Sequence, residues 1–188
     1  MLQHSIVNKN PNWETPQELF DEACRKYKVR PSLDVCATRR NKKCALFFSK
    51  DSLSKQWNKS FFMNPPYGKN VIDKWIKYAY EQHKKHDVTG IALIFSKTET
   101  KWWHKYIQDI AEVHFIKGRV HFELDGKQVV NSAPYGSCWV IWRAKKRFSK
   151  RQKEFAYAKL LSVIFDSIAP RPNLRDLVRA KKSRSGKN

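Results

Sequence analysis

The chain has 188 residues, 41% of them hydrophobic and 13% aromatic, enough to bury the core of one domain and too many for a disordered chain. Against 17 acidic residues stand 38 Lys and Arg, a net charge of +21 that points to a polyanionic partner, nucleic acid ahead of an anionic membrane surface. No apolar run approaches the roughly 20 residues of a spanning helix, the opening MLQHSIVNKNPNW lacks the charged start and apolar centre of a signal peptide, and the cysteines (Cys24, Cys36, Cys44, Cys138) form no C-x-x-C pair. A cytoplasmic protein with reduced thiols, no membrane and no metal is the expectation.

The first landmark is Trp13-Glu14-Thr15-Pro16 followed by QELFDEACRKY. Thr15 is the expected N-cap and Pro16 the first helical residue, with Leu19, Phe20, Ala23 and Tyr27 at helical spacing and Pro31 as the stop. Residues 32–37, SLDVCA, read as a short strand carrying an acid, Asp34, where a core strand prefers none. A basic passage (38–43), the apolar Ala45-Leu46-Phe47-Phe48 and the polar Ser49-Lys50-Asp51-Ser52 follow. Residues 60–63 form a strand that runs straight into Asn64-Pro65-Pro66-Tyr67-Gly68.

Beyond Gly68, VIDKWIKYAYEQHKK sets Val71, Ile72, Trp75, Ile76, Ala79 and Tyr80 on one helical face. TGIALIFS (89–96) is an apolar run suited to a strand covered on both sides. TETKWWHKYIQDIA reads as a second helix, VHFIKGRVHFEL and SCWVIWR as strands, and residues 125–137 as a polar loop between them. Alternating strands and helices predict an α/β fold with a mostly parallel sheet and flanking helices over residues 1–145. Residues 146–188 read as a basic extension: an amphipathic helix over 153–169 and a loose basic tail from 171.

Two prolines directly after a buried strand end its hydrogen-bond ladder, lock the backbone and remove two N–H donors. In open α/β sheets ligands bind at the carboxyl ends of strands, where this turn falls. Its carbonyl oxygens and the Asn64 side chain make a rigid set of acceptors beside the flat ring of Tyr67. Such a site suits a planar guest bearing an NH₂ group. An exocyclic amine on a nucleobase gives its lone pair to the ring, and two acceptors on its hydrogens return that density for attack on an electrophile. The ring can hold a base that has left the duplex stack. The plain alternative is a proline-rich turn with a packed tyrosine.

Asn64-Pro65-Pro66-Tyr67 looks like motif IV of the S-adenosylmethionine-dependent amino-methyltransferases. The wider pattern resembles the phage-type DNA N6-adenine methyltransferase (Dam) family: W-x-T-P-x-x-x-F at 13–20, L-D-V-x-A at 33–37, D-x-L at 51–53, W at 57, N-P-P-Y at 64–67 and G-R-V-x-F at 118–122. The match runs over about residues 12–143 and is far more specific than the tetrapeptide. It implies a Rossmann-like methyltransferase that moves a methyl group from S-adenosylmethionine to N6 of a flipped adenine in double-stranded DNA, in a bacterial or phage-infected cell. Asn64, Pro65, Pro66 and Tyr67 are then the catalytic turn. Asp34 lies near the cofactor's methionine ammonium, Asp51 accepts from its adenine amine, Thr15 and Pro16 match the cofactor-binding segment with Trp13 packed nearby, and Phe47 or Phe48 flanks the cofactor adenine. The alternatives are a capping Asp34, a helix-capping Asp51 and a core role for the phenylalanines.

The chain departs from the family pattern twice. DVCATRRN stands where a glycine-rich F-x-G-x-G is usual, and no acid lies between Asp34 and Asp51 to hold the ribose hydroxyls. No separate target-recognition domain interrupts the core, so sequence specificity is expected to be loose or short. Lys69, directly after the turn, and Arg119, in G-R-V-x-F, are the candidate DNA contacts. The rival readings are an RNA base amino-methyltransferase, a glutamine methyltransferase, which the charge disfavours, and a non-catalytic DNA-binding accessory protein on a degenerate methyltransferase fold.

Overall fold

The structure, a computed structural model, describes residues 13–129, 132–145 and 150–168. The readings of the first twelve residues and of the basic tail from 171 lie outside the described residues. The chain divides into two compact units, residues 1–145 and 146–188.

The first unit opens with α1 (Gln17–Lys26), which buries Phe20 and Ala23 and sets Phe20 edge-on against Phe62, ring centroids 4.9 Å apart. Pro16, not Thr15, occupies the N-cap position, with no side-chain cap bond. The helix ends before Pro31, because Lys28 turns into the left-handed region at φ 53°. Strands β1 (Leu33–Asp34) and β2 (Leu46–Phe47) follow, then a 3-10 turn over Ser52–Ser54 and β3 (Phe61–Met63). Helix α2 (Ile72–His86) buries Ile76, Ala79 and Gln82, and it leads to β4 (Gly90–Phe95), all six residues of which are buried.

After β4 the chain departs from the sequence reading in two places. The second helix, α3, is only Lys101–Tyr106. The stretch read as one long strand stops at β5 (Glu112–Phe115). Part of the expected loop is a hairpin instead: β6 (Glu123–Leu124) pairs antiparallel with β7 (Lys127–Gln128). Asp125 and Gly126 make its turn at φ 52° and 74°, the two left-handed residues that a tight hairpin demands. Strand β8 (Ser137–Trp142) completes the unit.

The six-stranded sheet has the order β2-β1-β3-β4-β8-β5. Its first four strands are parallel neighbours, while β8 runs antiparallel to both β4 and β5. The fold is α/β and Rossmann-like, with a mostly parallel sheet between helices. Side chains alternate across the strands: Met63, Ala92, Ile94 and Val140 pack with α2 and α3 residues such as Ile76 and Trp103. Phe62, Leu93, Phe95 and Trp139 pack on the other face with Phe20, Ala23 and Phe122. Parallel order puts the carboxyl ends of β1, β2, β3 and β4 on one edge, where residues 34–37, 48–52, 64–68 and 96–97 leave the sheet.

The second unit contains α4 (Lys150–Ile168), on which Phe155, Tyr157, Leu160, Leu161, Val163 and Ile164 are exposed. Among the described residues no helix is long and apolar enough to cross a membrane.

Candidate active site

The turn at 64–67 leaves the carboxyl end of β3, one strand from Asp34 on β1 and one from Phe95 on β4. Asn64 is held from two sides. Its Nδ2 donates to the carbonyl oxygen of Trp13 at 2.7 Å, and its Oδ1 lies 3.1 Å from the Tyr67 hydroxyl. With the amide nitrogen committed to a carbonyl, the oxygen must face the turn, and one of its two lone pairs remains available. The Tyr67 hydroxyl also lies 3.2 Å from the Leu93 carbonyl oxygen. Burial pushes this phenol well above its ordinary pKa, so it keeps its proton and acts as a donor. One face of the Tyr67 ring stacks on Phe95 with centroids 4.0 Å apart and planes 22° apart. Trp13 sits 6.4 Å away at a tilt and stacks on Phe122 at 5.1 Å.

Glu14, which the sequence reading passed over, fastens this corner. It forms an isolated antiparallel bridge with Glu123. Its carboxylate accepts from Gly126 N–H at 3.2 Å and from Asn41 Nδ2 at 3.1 Å. The hairpin, the basic loop at 38–43 and the Trp13 carbonyl on Asn64 thus hang on one dipeptide. A lone surface glutamate has no signature in sequence that would single it out.

Thr15 is 3% exposed, and its Oγ1 is buried without a hydrogen-bond partner. Buried hydroxyls are normally paired, and an unpaired one costs about 1–3 kcal/mol. Freed from the capping role, it keeps its hydrogen-bonding capacity unspent among the described residues. Asp34 is 2% exposed. Its two oxygens accept the backbone N–H groups of Cys36 at 3.1 Å and Lys43 at 2.9 Å, so the carboxylate holds the loop that follows its own strand. Burial raises its pKa, and those two bonds and the Lys43 charge oppose the rise.

Asp51 takes the opposite course. It sits in the left-handed region at φ 55° and makes no side-chain cap bond to the 3-10 turn; only its carbonyl is used, by Ser54 N–H and Oγ. Trp57, wholly buried, fixes this loop by donating from Nε1 to the Ser52 carbonyl oxygen at 2.9 Å, while its own N–H donates to Gln82 Oε1 of α2. Among the described residues, then, the Asp51 carboxylate is uncommitted. Phe48 is partly buried against the core, with the Lys55 ammonium 5.0 Å from its ring centre, and Lys42 lies 5.2 Å from that of Phe47.

On its other side the turn opens onto a cleft of about 780 Å³ between α2 and α3, whose lining includes the neighbouring rings of Tyr67, Phe95 and Tyr135. Lys69 lines this cleft. Arg119 does not; its Nη1 donates at 3.4 Å to the Ala133 carbonyl oxygen, which ties the segment after Gly118 to the return from the hairpin. The cysteines are unsuited to act as nucleophiles. Burial, with the Asp34 charge adding to it, raises Cys36 well above a normal thiol, and burial pushes Cys138 and Cys24 up to about 11 and Cys44 to about 12.

Comparison with known proteins matches residues 3–166 to the family described as DNA N-6-adenine-methyltransferase (Dam). The chain is 29% identical over 124 residues to a DNA N-6-adenine-methyltransferase of Escherichia phage T1, a match covering 64% of this chain and 50% of that protein. It is 27% identical over 121 residues to a DNA N-6-adenine-methyltransferase of Haemophilus phage HP1 (strain HP1c1), covering 62% of this chain and 69% of that protein. The match therefore spans about half the length of the phage T1 relative.

Proposed function

The chain belongs to the DNA N-6-adenine-methyltransferase (Dam) family, and from that premise we propose that it methylates N6 of adenine in double-stranded DNA, with S-adenosylmethionine as the methyl donor. The observation that carries this reading is the turn at 64–67, set between two aspartate-bearing loops on one side and a lysine-lined cleft on the other.

The free polar groups fit the donor. The unpartnered Thr15 Oγ1 and the uncommitted Asp51 carboxylate are suited to a ligand that carries both an ammonium and an adenine amine. Asp34 serves the same ligand by holding the 35–44 loop around it, with Trp13 and Pro16 packed beside that space. The cofactor, when bound, supplies an electrophilic methyl group on a sulfonium.

The remaining chemistry belongs to the chain's own residues. Asn64 Oδ1 and the carbonyl oxygen of Pro65 accept the two hydrogens of the adenine amine, and Pro66 stiffens the turn so that both acceptors stay in place. Lone-pair density would return to N6 for attack on the methyl carbon, with the carbon–sulfur bond breaking, its electron pair staying on sulfur to leave a neutral thioether, and the surplus N6 proton passing to solvent. The flipped base lies against the face of Tyr67 that Phe95 leaves open. With every thiol held protonated by burial, no enzyme-bound methyl intermediate is formed.

In this reading residues 1–145 are the catalytic domain and 146–188 a basic extension that adds affinity for phosphates. Sequence specificity is loose or short, and the reaction takes place in the cytoplasm of a bacterial or phage-infected cell. The test is incubation of the chain with methyl-tritiated S-adenosylmethionine and duplex DNA, followed by nucleoside analysis. Label in N6-methyl-2′-deoxyadenosine from the DNA is the expected result. Label at a cytosine, preferential labelling of RNA, or no transfer despite tight cofactor binding would overturn it.

A further inference from the structure

We propose that the cleft between α2 and α3 is the bed for the DNA strand that carries the target adenine, with Lys74 and Lys77 of α2 and Lys101 and Lys105 of α3 gripping its phosphates from opposite walls. This rests on the DNA-methylation reading and assigns the strand's path, which neither the family motifs nor the relatives' names give.

The walls are built for a polyanion. Four helix lysines, together with Lys69 and Lys97, line the cleft, and among the described residues Asp73 is the one acidic residue in its lining. Lys74 and Lys77 are three residues apart and Lys101 and Lys105 four apart, so each pair shares a helix face. Among the described residues only Lys77 of the six has a carboxylate partner, Glu81 at 3.8 Å, and both of those side chains are more than half exposed. A solvated surface would mix signs; six lysines lining one trough, five of them without a carboxylate partner among the described residues, do not serve stability.

The floor is aromatic. Trp102 and Tyr106 of α3 line the cleft and are partly buried against the core, which fixes their ring planes. The Lys97 ammonium lies 4.2 Å from the centre of the Tyr135 ring, next to Phe95 and Tyr67. Positive charge interleaved with fixed aromatic planes is the arrangement that holds an unstacked strand: ammonium groups follow the phosphates and rings take the bases. At about 780 Å³ the cleft is at the upper end of the range for small-molecule sites, and it opens directly at the catalytic tyrosine. Asp73 has a different task. Its Oδ1 is buried without a hydrogen-bond partner, and a carboxylate among lysines repels a phosphate there while accepting an N–H from a neighbouring base, as acidic residues do from cytosine N4.

The experiment uses the full chain and reads binding apart from catalysis. A fluorescently labelled duplex with one unpaired adenine is titrated across a salt series with the wild type, with Lys74→Gln/Lys101→Gln/Lys105→Gln, and with a control, Arg25→Gln/Lys26→Gln, on α1. Cofactor affinity is measured on each by calorimetry. The slope of log affinity against log salt should flatten by about 0.9 for each cleft lysine removed, with cofactor affinity unchanged and the control behaving as the wild type. An unchanged slope in the cleft variant, or equal flattening in the control, overturns the assignment. Tighter binding of an RNA of the same sequence by the wild type overturns the choice of DNA. Because this readout needs no turnover, it stands whether or not the methylation assay succeeds.

Discussion

The Tyr67 hydroxyl lies 3.1 Å from Asn64 Oδ1 while the Asn64 amide nitrogen is pinned at 2.7 Å to the carbonyl oxygen of Trp13. In the proposed reaction the tyrosine is therefore more than a plate for a base, because its hydroxyl helps to set the direction in which Asn64 Oδ1 points.

Three substitutions separate these roles. Asn64→Ala removes the acceptor and should abolish turnover while the protein stays folded. Tyr67→Ala loses both ring and hydroxyl. Tyr67→Phe keeps the stack on Phe95 but frees Oδ1, and should lower kcat by about fivefold, corresponding to the ~1 kcal/mol of one hydrogen bond. Single-turnover rates with saturating DNA give the comparison; a Tyr67→Phe rate equal to wild type shows that the hydroxyl has no such role.

Thr15→Val keeps the shape of the side chain and deletes its unpaired hydroxyl. The free protein should gain on the order of 1 kcal/mol of stability in urea unfolding, and its affinity for S-adenosylmethionine should fall. Those opposite signs identify a group held in reserve for a ligand. A loss of stability with unchanged affinity would assign Thr15 to the core instead.

At Asp51 the backbone has φ 55°, where asparagine is tolerated and alanine is strained. Asp51→Asn should therefore leave the unfolding midpoint where it is. Cofactor binding should weaken by about 1.5–3 kcal/mol, the range for hydrogen bonds to charged groups. Calorimetry decides between this and unchanged affinity, which would remove Asp51 from the cofactor site.

Glu112 offers a pH test away from the site. Two bonds from Arg143, both 2.8 Å, hold its carboxyl below the ordinary range, with desolvation opposing and His114 assisting. A depressed folded pKa means stabilisation that is fully present above the unfolded value, about 4.3, and that is lost as pH falls through the folded value. The side chains are 45% and 36% exposed, so screening keeps the contribution under about 1 kcal/mol. Glu112→Gln should cost that amount at pH 7 and nothing at pH 2 in denaturant titrations. A constant difference across the range would exclude a charge effect.

Much of the fold was legible because burial leaves period and composition in the chain. TGIALIFS became β4 with only its end residues trimmed, α2 kept the Ile76 and Ala79 face, and the double proline ended β3 at the sheet's carboxyl edge. Three things were hidden. The stop of β5 at Phe115 turns on Gly118 at φ 80°, which an apolar alternation masks. The hairpin depends on Asp125 and Gly126, read as mere loop. Thr15 has the residue type of a cap, yet Pro16 takes the position. At the site, Asn64 and Tyr67 stood out by motif, and their mutual bond did not, because it depends on where Trp13 returns fifty residues away in sequence. The lysine cleft was invisible for a different reason: among 38 basic residues, only helix placement selects those that face one another.

The antiparallel pairing of β4 with β8 joins Gly90–Phe95 to Ser137–Trp142 along six residues each. On the ribosome, β4 and the turn at 64–67 emerge more than forty residues before the strand that closes β4's free side. Through that interval a fully apolar strand, paired only with β3, has one bare edge, the condition in which nascent chains associate with each other. Synthesis of the last part of the sheet, more than the helices, then sets how much of the polypeptide reaches a working form. Chains ended before residue 143 should collect as insoluble material, while a break within the tail is borne without that penalty.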